Sequence, residues 1–416
     1  MASTALSGSW AQVVHPLLEL GLIKLKLPLQ IDIKIGNHFE AKVYATGSAI
    51  RGKVSITSLR DVEFDKVQVD LVGMSITRTS GVLNDTLPTE FTFFRLAMPI
   101  PSASLPEDKR LAAKEIVEIP FFFVVPQQRP LSRCTYENHL ELPPTIGTWE
   151  KSDQSPQTAQ IKYSIRVRVT PTPRDVEKYK QVEINHYVRL LPSTFQDICV
   201  TDTTQEIRLG RPYVKSDSLT IAGIPPSLVY VSSENGRISK PKITARVEFV
   251  TKTRPPRCPR IQARSAAVQT TTDYAQVHLT PKSRENGRQA PAEQAPDVVL
   301  SSKSKKVTVD LKQSEWSKSE APATPAGTKY SSTLTITVNI PSQDEMTFLP
   351  SFDACMISRS YALRVGLAAE YTGYVTTIDL PFQVVVRDLT APRPPRYMET
   401  SSDQIHPEDV LPPYGY

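Results

Sequence analysis

The chain has 416 residues, a formal net charge of +6, and 36 prolines against 16 glycines. Such a length allows two or three domains with cores of their own, and an ordinary hydrophobic content of 39% argues against wholesale disorder. Prolines scattered between short β-rich runs argue against long helices and suit strand boundaries.

The positive charge is local. From Thr251 to Tyr330 there are 14 Lys/Arg and 7 Asp/Glu, so this stretch carries the basic excess. A solvated, flexible insertion at about 253–305 is expected there, not a nucleic-acid surface. No run approaches the roughly 18 apolar residues of a membrane span. "MASTALSGSW" lacks a basic segment followed by an apolar core, so a flexible N-terminus at 1–16 is expected, with no secretory signal. Cys134, Cys199, Cys258 and Cys355 are widely separated, which predicts reduced thiols in a cytoplasmic protein.

In chain order, "LIKLKLPLQIDIKI" places Ile23, Leu25 and Leu27 on one face and Lys24 and Lys26 on the other, where lysines protect a sheet edge. After Pro28 the alternation resumes with Leu29, Ile31, Ile33 and Ile35 inward. "KVSIT", "KVQVDLVGMSIT" and "VEIPFFFVVP" read as strands, as does "IKYSIRVRVTP", with Tyr163, Ile165, Val167 and Val169 on one face against Arg166 and Arg168. "KQVEINHYVRLLP" closes this half near Pro192. Between the early strands, "SLPEDKRLAAKEIVEIP" has Ser104 and Glu107 at capping-box spacing, which predicts a short helical turn.

The second half repeats the plan with "SLTIAG", "LVYVSSENG", "ITARVEFVTK", "KVTVDLK", "STLTITVNIP", "YALRVGLAAEY" and "TTIDLPFQVVVRD". "LPPTIG" before "YSIRVRV" is echoed by "LPSFDA" before "YALRVGL", which favours an internal duplication. The fold class expected is all-β. It comprises two consecutive β-sandwiches, at 17–195 and 196–388, followed by a disordered proline-rich tail at 389–416.

Few residues invite chemistry. The six histidines show no ligand spacing with each other or with cysteine, so no metal and no cofactor are expected. Cys134 with His139 reads as a loop pair rather than a thiol nucleophile, because such pairs form in space, not along the chain. Without a glycine-rich phosphate loop, a nucleophile elbow or a paired-carboxylate pattern, no catalytic centre is read.

The tail is different. Pro394-Pro395-Arg396-Tyr397 is a PPxY motif, in which two prolines hold the backbone near polyproline II for an aromatic groove and the tyrosine fills a neighbouring pocket. Leu411-Pro412-Pro413-Tyr414 is a weaker LPxY variant. Two such sites on one tail can engage tandem WW domains through effective concentration.

Several segments together resemble the arrestin family. "KVYATGSAIRGKVSI", with Tyr44, Gly47 and Gly52, is similar to an early motif of that fold. "VQVDLVGMSITR", with Gly73, is similar to its next strand. "IPFFFVVP" and "LELPPTIG" resemble its proline-bounded strand and Leu-Pro-Pro corner, at Pro120, Pro126, Pro143 and Pro144. "LPSFDACMISRSYALRV", with Pro350 and Tyr361, resembles the matching corner of the second arrestin domain.

The resemblance, together with the tail, points to the α-arrestin branch, abundant in fungi. It implies two immunoglobulin-like sandwiches and a non-enzymatic cytoplasmic adaptor. Such an adaptor recruits a HECT-type ubiquitin ligase through WW domains, promoting ubiquitination and endocytosis of plasma-membrane transporters or receptors. The residues carried over as docking sites are Pro394, Pro395, Tyr397, Leu411, Pro412, Pro413 and Tyr414. The implied partners are the ligase's WW domains, cytosolic segments of membrane cargo, and ubiquitin. Peripheral contact with the plasma membrane or endosomes goes with that role. Two alternatives stay open: an arrestin-fold trafficking or signalling scaffold without a ligase partner, and an enzyme with dispersed catalytic residues, whose mark would be a pocket where His or Cys meets a carboxylate.

Overall fold

The computed structural model describes residues 25–387, apart from 27, 79–87, 130–133, 135, 150–151, 173–178, 194–203, 208, 210–216, 225–227, 233–240, 254–255, 277–278, 280–297, 320–326, 340–346 and 371–373. The expected all-β class is observed. Among the described residues, the helical segments are two short 3-10 turns, Ser102–Ser104 and Glu137–Leu140.

In the first half, a sheet runs in the order Val43–Tyr44, Val182–Leu190, Ala159–Pro171, Val62–Thr77 and Thr89–Ala97. The alternation seen in the sequence sets its two faces. Ile161, Tyr163, Ile165, Val167 and Val169 are buried, whereas Arg166 and Arg168 turn outward to Glu183 on the neighbouring strand, at 3.4 and 3.0 Å. The facing sheet consists of Leu29–Ile35, Ala49–Ser58 and Ile116–Val124. Ile33, Val54, Ile56, Ile119 and Phe121 fill the space between the two sheets, with Leu29, Ile31 and Ile35 packed at its margin. This is the pattern expected of half-buried strands. The side chains of Ile23 to Leu27 lie outside the described residues.

Glycines permit the tight points of this half. Gly47 sits at φ +81°, in the left-handed region that side chains rarely adopt. Gly52 lies so close to the adjacent strand that a Cβ there would stand 2.2 Å from the Lys34 carbonyl oxygen.

The second half has the same two-layer plan. One sheet runs Thr204–Ile207, Ser218–Gly223, Lys242–Thr251, Thr328–Asn339 and Thr308–Gln313. The other runs Leu228–Ser232, Thr376–Arg387, Ile357–Ala369, Ile261–Tyr274 and Val299–Lys306. Leu219, Val247, Phe249, Ile336, Leu363 and Leu380 belong to the core between them. Strands Ile261–Tyr274 and Val299–Lys306 pair antiparallel; the first lies within the segment 253–305 expected as an insertion and the second covers its end. Those residues are sheet, not loop.

The helical turn expected from "SLPEDKRLAAKEIVEIP" is corrected. A single 3-10 turn ends at Ser104, Leu105 is already extended, and short strand pairing follows at Arg110–Leu111. Lys109 and Lys114 take left-handed φ of 53° and 65°. The Asp61 carboxylate accepts from the Ala113 amide at 2.8 Å and pairs with Arg110. A carboxylate from the turn between strands Ala49–Ser58 and Val62–Thr77 thus secures turns where the local composition favours helix. Tertiary contacts outweigh propensity here.

Candidate functional site

The docking residues read from the sequence, Pro394, Pro395, Tyr397, Leu411, Pro412, Pro413 and Tyr414, lie outside the described residues. What the structure provides is their anchor. The last strand, Thr376–Arg387, is held on one side by Ile357–Ala369 in antiparallel register and on the other by Leu228–Ser232 in parallel register.

Within the body, two places concentrate polar chemistry. The first is the seam between the sandwiches. The loop Ser152–Ser155 of the first half projects into the second. Arg359, 1% exposed, reaches it from strand Ile357–Ala369. One guanidinium nitrogen donates to the Asp153 carbonyl at 2.9 Å, and the other to the Ser155 and Thr272 hydroxyls at 2.6 and 3.3 Å.

Further bonds secure the same loop. The Thr347 amide donates to the Ser152 carbonyl at 3.0 Å, Lys303 donates to the Ser155 carbonyl at 2.8 Å, and the Thr270 hydroxyl donates to Gln154 Oε1. The Asp153 carboxylate is occupied within the loop, accepting from the Gly147 and Ser155 amides at 2.7 and 2.9 Å. Nearby, the Thr158 hydroxyl donates to that of Tyr274 at 2.6 Å. Apolar packing continues across the boundary, since Leu349, Phe352, Met356 and Val386 join the first core. Lys303 therefore serves the seam from within a segment whose composition predicts only solvated charge.

At one end of the seam lies a cluster that the spacing of the histidines and cysteines did not reveal. His139 and Cys134 come from the loop around Glu137–Leu140, and Asp353 and Cys355 from the Leu-Pro corner of the second half. Cys134 Sγ is 3.3 Å from His139 Nδ1, and His139 Nε2 is 3.0 Å from Asp353 Oδ1. The sulfur-bearing and imidazole atoms of Cys134, His139 and Cys355 all lie within 4.8 Å of one another. Arg129, also buried, places its guanidinium nitrogens 3.6 and 3.7 Å from Cys355 Sγ. Burial pushes the Cys355 thiol up, and Arg129 pulls it the other way. The Cys134/His139 pair is thus a real contact, completed by residues more than two hundred positions away.

The second place is a cleft of about 570 Å³ on the first sandwich, lined in part by His38, Phe39, Lys162, His186, Tyr187 and Arg189. His38 and His186 meet edge to face at 5.3 Å, and His38 Nδ1 lies 3.1 Å from the Tyr44 hydroxyl. Lys162 sits over the Tyr187 ring and Arg189 over that of Trp149. Cations held over aromatic faces, beside an exposed Phe39 and Tyr187, form a surface suited to an acidic or aromatic segment.

Two β-sandwiches in tandem, bonded through a polar seam, define a two-domain all-β protein whose last strand leads into a proline–tyrosine tail. A family model described as the Bul1 C terminus matches residues 261–387, running from the first residue of strand Ile261–Tyr274 to the last of strand Thr376–Arg387. The match supports an arrestin-related family for the chain. Among curated proteins nothing matches it. Among the described residues, no helix is long and apolar enough to cross a membrane.

Proposed function

We propose that the chain is an α-arrestin-like adaptor of the fungal type, which brings a HECT-type ubiquitin ligase to plasma-membrane transporters or receptors and so promotes their ubiquitination and endocytosis. The observation that carries this reading is the Bul1 C-terminus match ending at residue 387, only a few residues before Pro394-Pro395-Arg396-Tyr397. Bul1-like, arrestin-related proteins are adaptors linked to ubiquitin ligases, not enzymes, which supports a binding role. In this reading Pro394, Pro395 and Tyr397 fill the groove of one WW domain. Leu411, Pro412, Pro413 and Tyr414 engage a second more weakly, and the body meets the cytosolic segment of the cargo. The cleft at His38, Lys162 and Arg189 is its best-suited described surface for an acidic segment.

The test is capture of the full chain on tandem WW domains from a HECT-type ligase. The expected result is strong loss with Tyr397→Ala, a smaller loss with Tyr414→Ala, and no capture with both. Undiminished capture by the double variant overturns the docking assignment.

A further inference from the structure

The cluster across the seam contains two thiols and an imidazole at metal-ligand separations. We propose that Cys134, His139 and Cys355 bind a divalent transition metal of the zinc class, which clamps the first sandwich to the second.

These residues supply three of the four positions a tetrahedral ion requires, and a water takes the fourth. Tetrahedral zinc with Zn–S of about 2.3 Å and Zn–N of about 2.0–2.1 Å sets ligand atoms roughly 3.6–3.8 Å apart. Cys134 Sγ and His139 Nδ1 are 3.3 Å apart, and the three ligand atoms lie within 4.8 Å of one another. Shifts well under the length of one bond would close the site.

The surroundings fit as well. His139 Nε2 is engaged by Asp353 at 3.0 Å, which fixes the tautomer with the Nδ1 lone pair turned toward the sulfurs. This carboxylate–imidazole support is the usual second layer of a histidine–metal bond. Charge also balances, because two thiolates neutralise a divalent ion while Arg129 offsets Asp353. A buried assembly of net charge zero avoids the heavy cost of an isolated ion. Arg129, at 3.6–3.7 Å from Cys355 Sγ, would donate to the thiolate.

A catalytic reading of the same atoms fits less well. His139 is buried at a domain boundary, a second thiol crowds the first, and the described cleft lies elsewhere. Soft sulfur and imidazole donors select zinc-class ions over calcium or magnesium.

The test uses the full chain, kept reduced so that a Cys134–Cys355 disulfide cannot form. Metal is stripped with a chelator and cobalt(II) is added as the probe. One equivalent should produce tetrahedral d–d bands and a thiolate-to-cobalt charge-transfer band, and one equivalent of zinc should displace it. Cys134→Ser with Cys355→Ser should abolish the charge-transfer band, Cys258→Ser with Cys199→Ser should leave it intact, and Asp353→Asn should weaken cobalt binding by roughly 10–100-fold. Circular dichroism of each variant reports folding separately. An unmodified chain without the cobalt spectrum overturns the proposal, as does a folded Cys134→Ser/Cys355→Ser chain that retains it.

Discussion

The Tyr163 hydroxyl donates to the Pro143 carbonyl at 2.7 Å, and the Tyr361 hydroxyl donates to the Leu349 carbonyl at 2.8 Å. Each tyrosine begins the Arg-Val run of a central strand and pins the Leu-Pro corner preceding it. The acceptor differs by one position, since Pro143 is the first proline of one corner and Leu349 the residue before the proline of the other. The two sandwiches thus share a fastening as well as a plan. Burial pushes both phenols up, so both remain neutral donors.

Removing either hydroxyl leaves a buried carbonyl without its partner, at a cost of about 1–3 kcal/mol. Tyr163→Phe and Tyr361→Phe should each lower the thermal midpoint. Backbone hydrogen exchange should rise around Pro143 in the first variant and around Leu349 in the second. Unchanged exchange at the corners would show that packing alone holds them.

Gly52→Ala tests the close approach within the first sandwich. The added methyl would meet the Lys34 carbonyl oxygen at 2.2 Å and the Phe121 ring at 2.5 Å. Neither yields without disturbing the strand pairing on its side, so destabilisation of about 2–4 kcal/mol is expected. Chemical denaturation followed by tryptophan fluorescence measures it.

Arg359 is the largest of the fully buried side chains in the seam. Arg359→Met removes its bonds to Asp153, Ser155 and Thr272 while keeping much of the volume, and should cost about 2–4 kcal/mol. Amide exchange should accelerate at 152–155 while strand Ala159–Pro171 stays protected. Arg359→Lys should recover only part of the loss, because an ammonium cannot reproduce the planar fork.

His38 gives a pH dependence with a definite sign. Its pKa is lowered from 6.5, first by burial, then by His186 and Lys42. Below the unfolded value the unfolded chain binds more protons than the folded one, so stability falls as pH drops from about 6.5 through the folded pKa. Above that window the contribution is fully present. His38→Gln should flatten the decline measured between about pH 7.5 and about pH 5.5. An equal decline in the variant would assign it to other groups.

Local pattern carried much of this fold. Alternation in "IKYSIRVRVTP" and "LQIDIKI" anticipated which side chains enter the first core, because period two is a property of the extended chain itself. The echo of "YSIRVRV" in "YALRVGL" marked the paired tyrosine fastenings. The stretch after Ser104 misled because helix propensity is local, whereas the Asp61 carboxylate that sets its turns comes from elsewhere in the chain. The cluster of Cys134, His139 and Cys355 was illegible for the same reason, its two halves meeting only when the sandwiches dock. Strand Val299–Lys306 was hidden by serine and lysine on its exposed positions, and strand Ile261–Tyr274 by polar residues on both faces, since Thr270 and Thr272 are buried against the seam rather than replaced by apolar side chains.

The position of the final strand also has a mechanical meaning. A partner holding the tail and moving relative to the body pulls along Thr376–Arg387, which is laddered to a neighbour on each side. Inter-strand hydrogen bonds lie across the strand direction in both kinds of ladder, parallel and antiparallel, so force directed along the strand loads both rows in shear rather than opening them one at a time. With an extended reach of at most about 3.3–3.6 Å per residue, a partner gripping Pro394 stays within about 25 Å of that anchor.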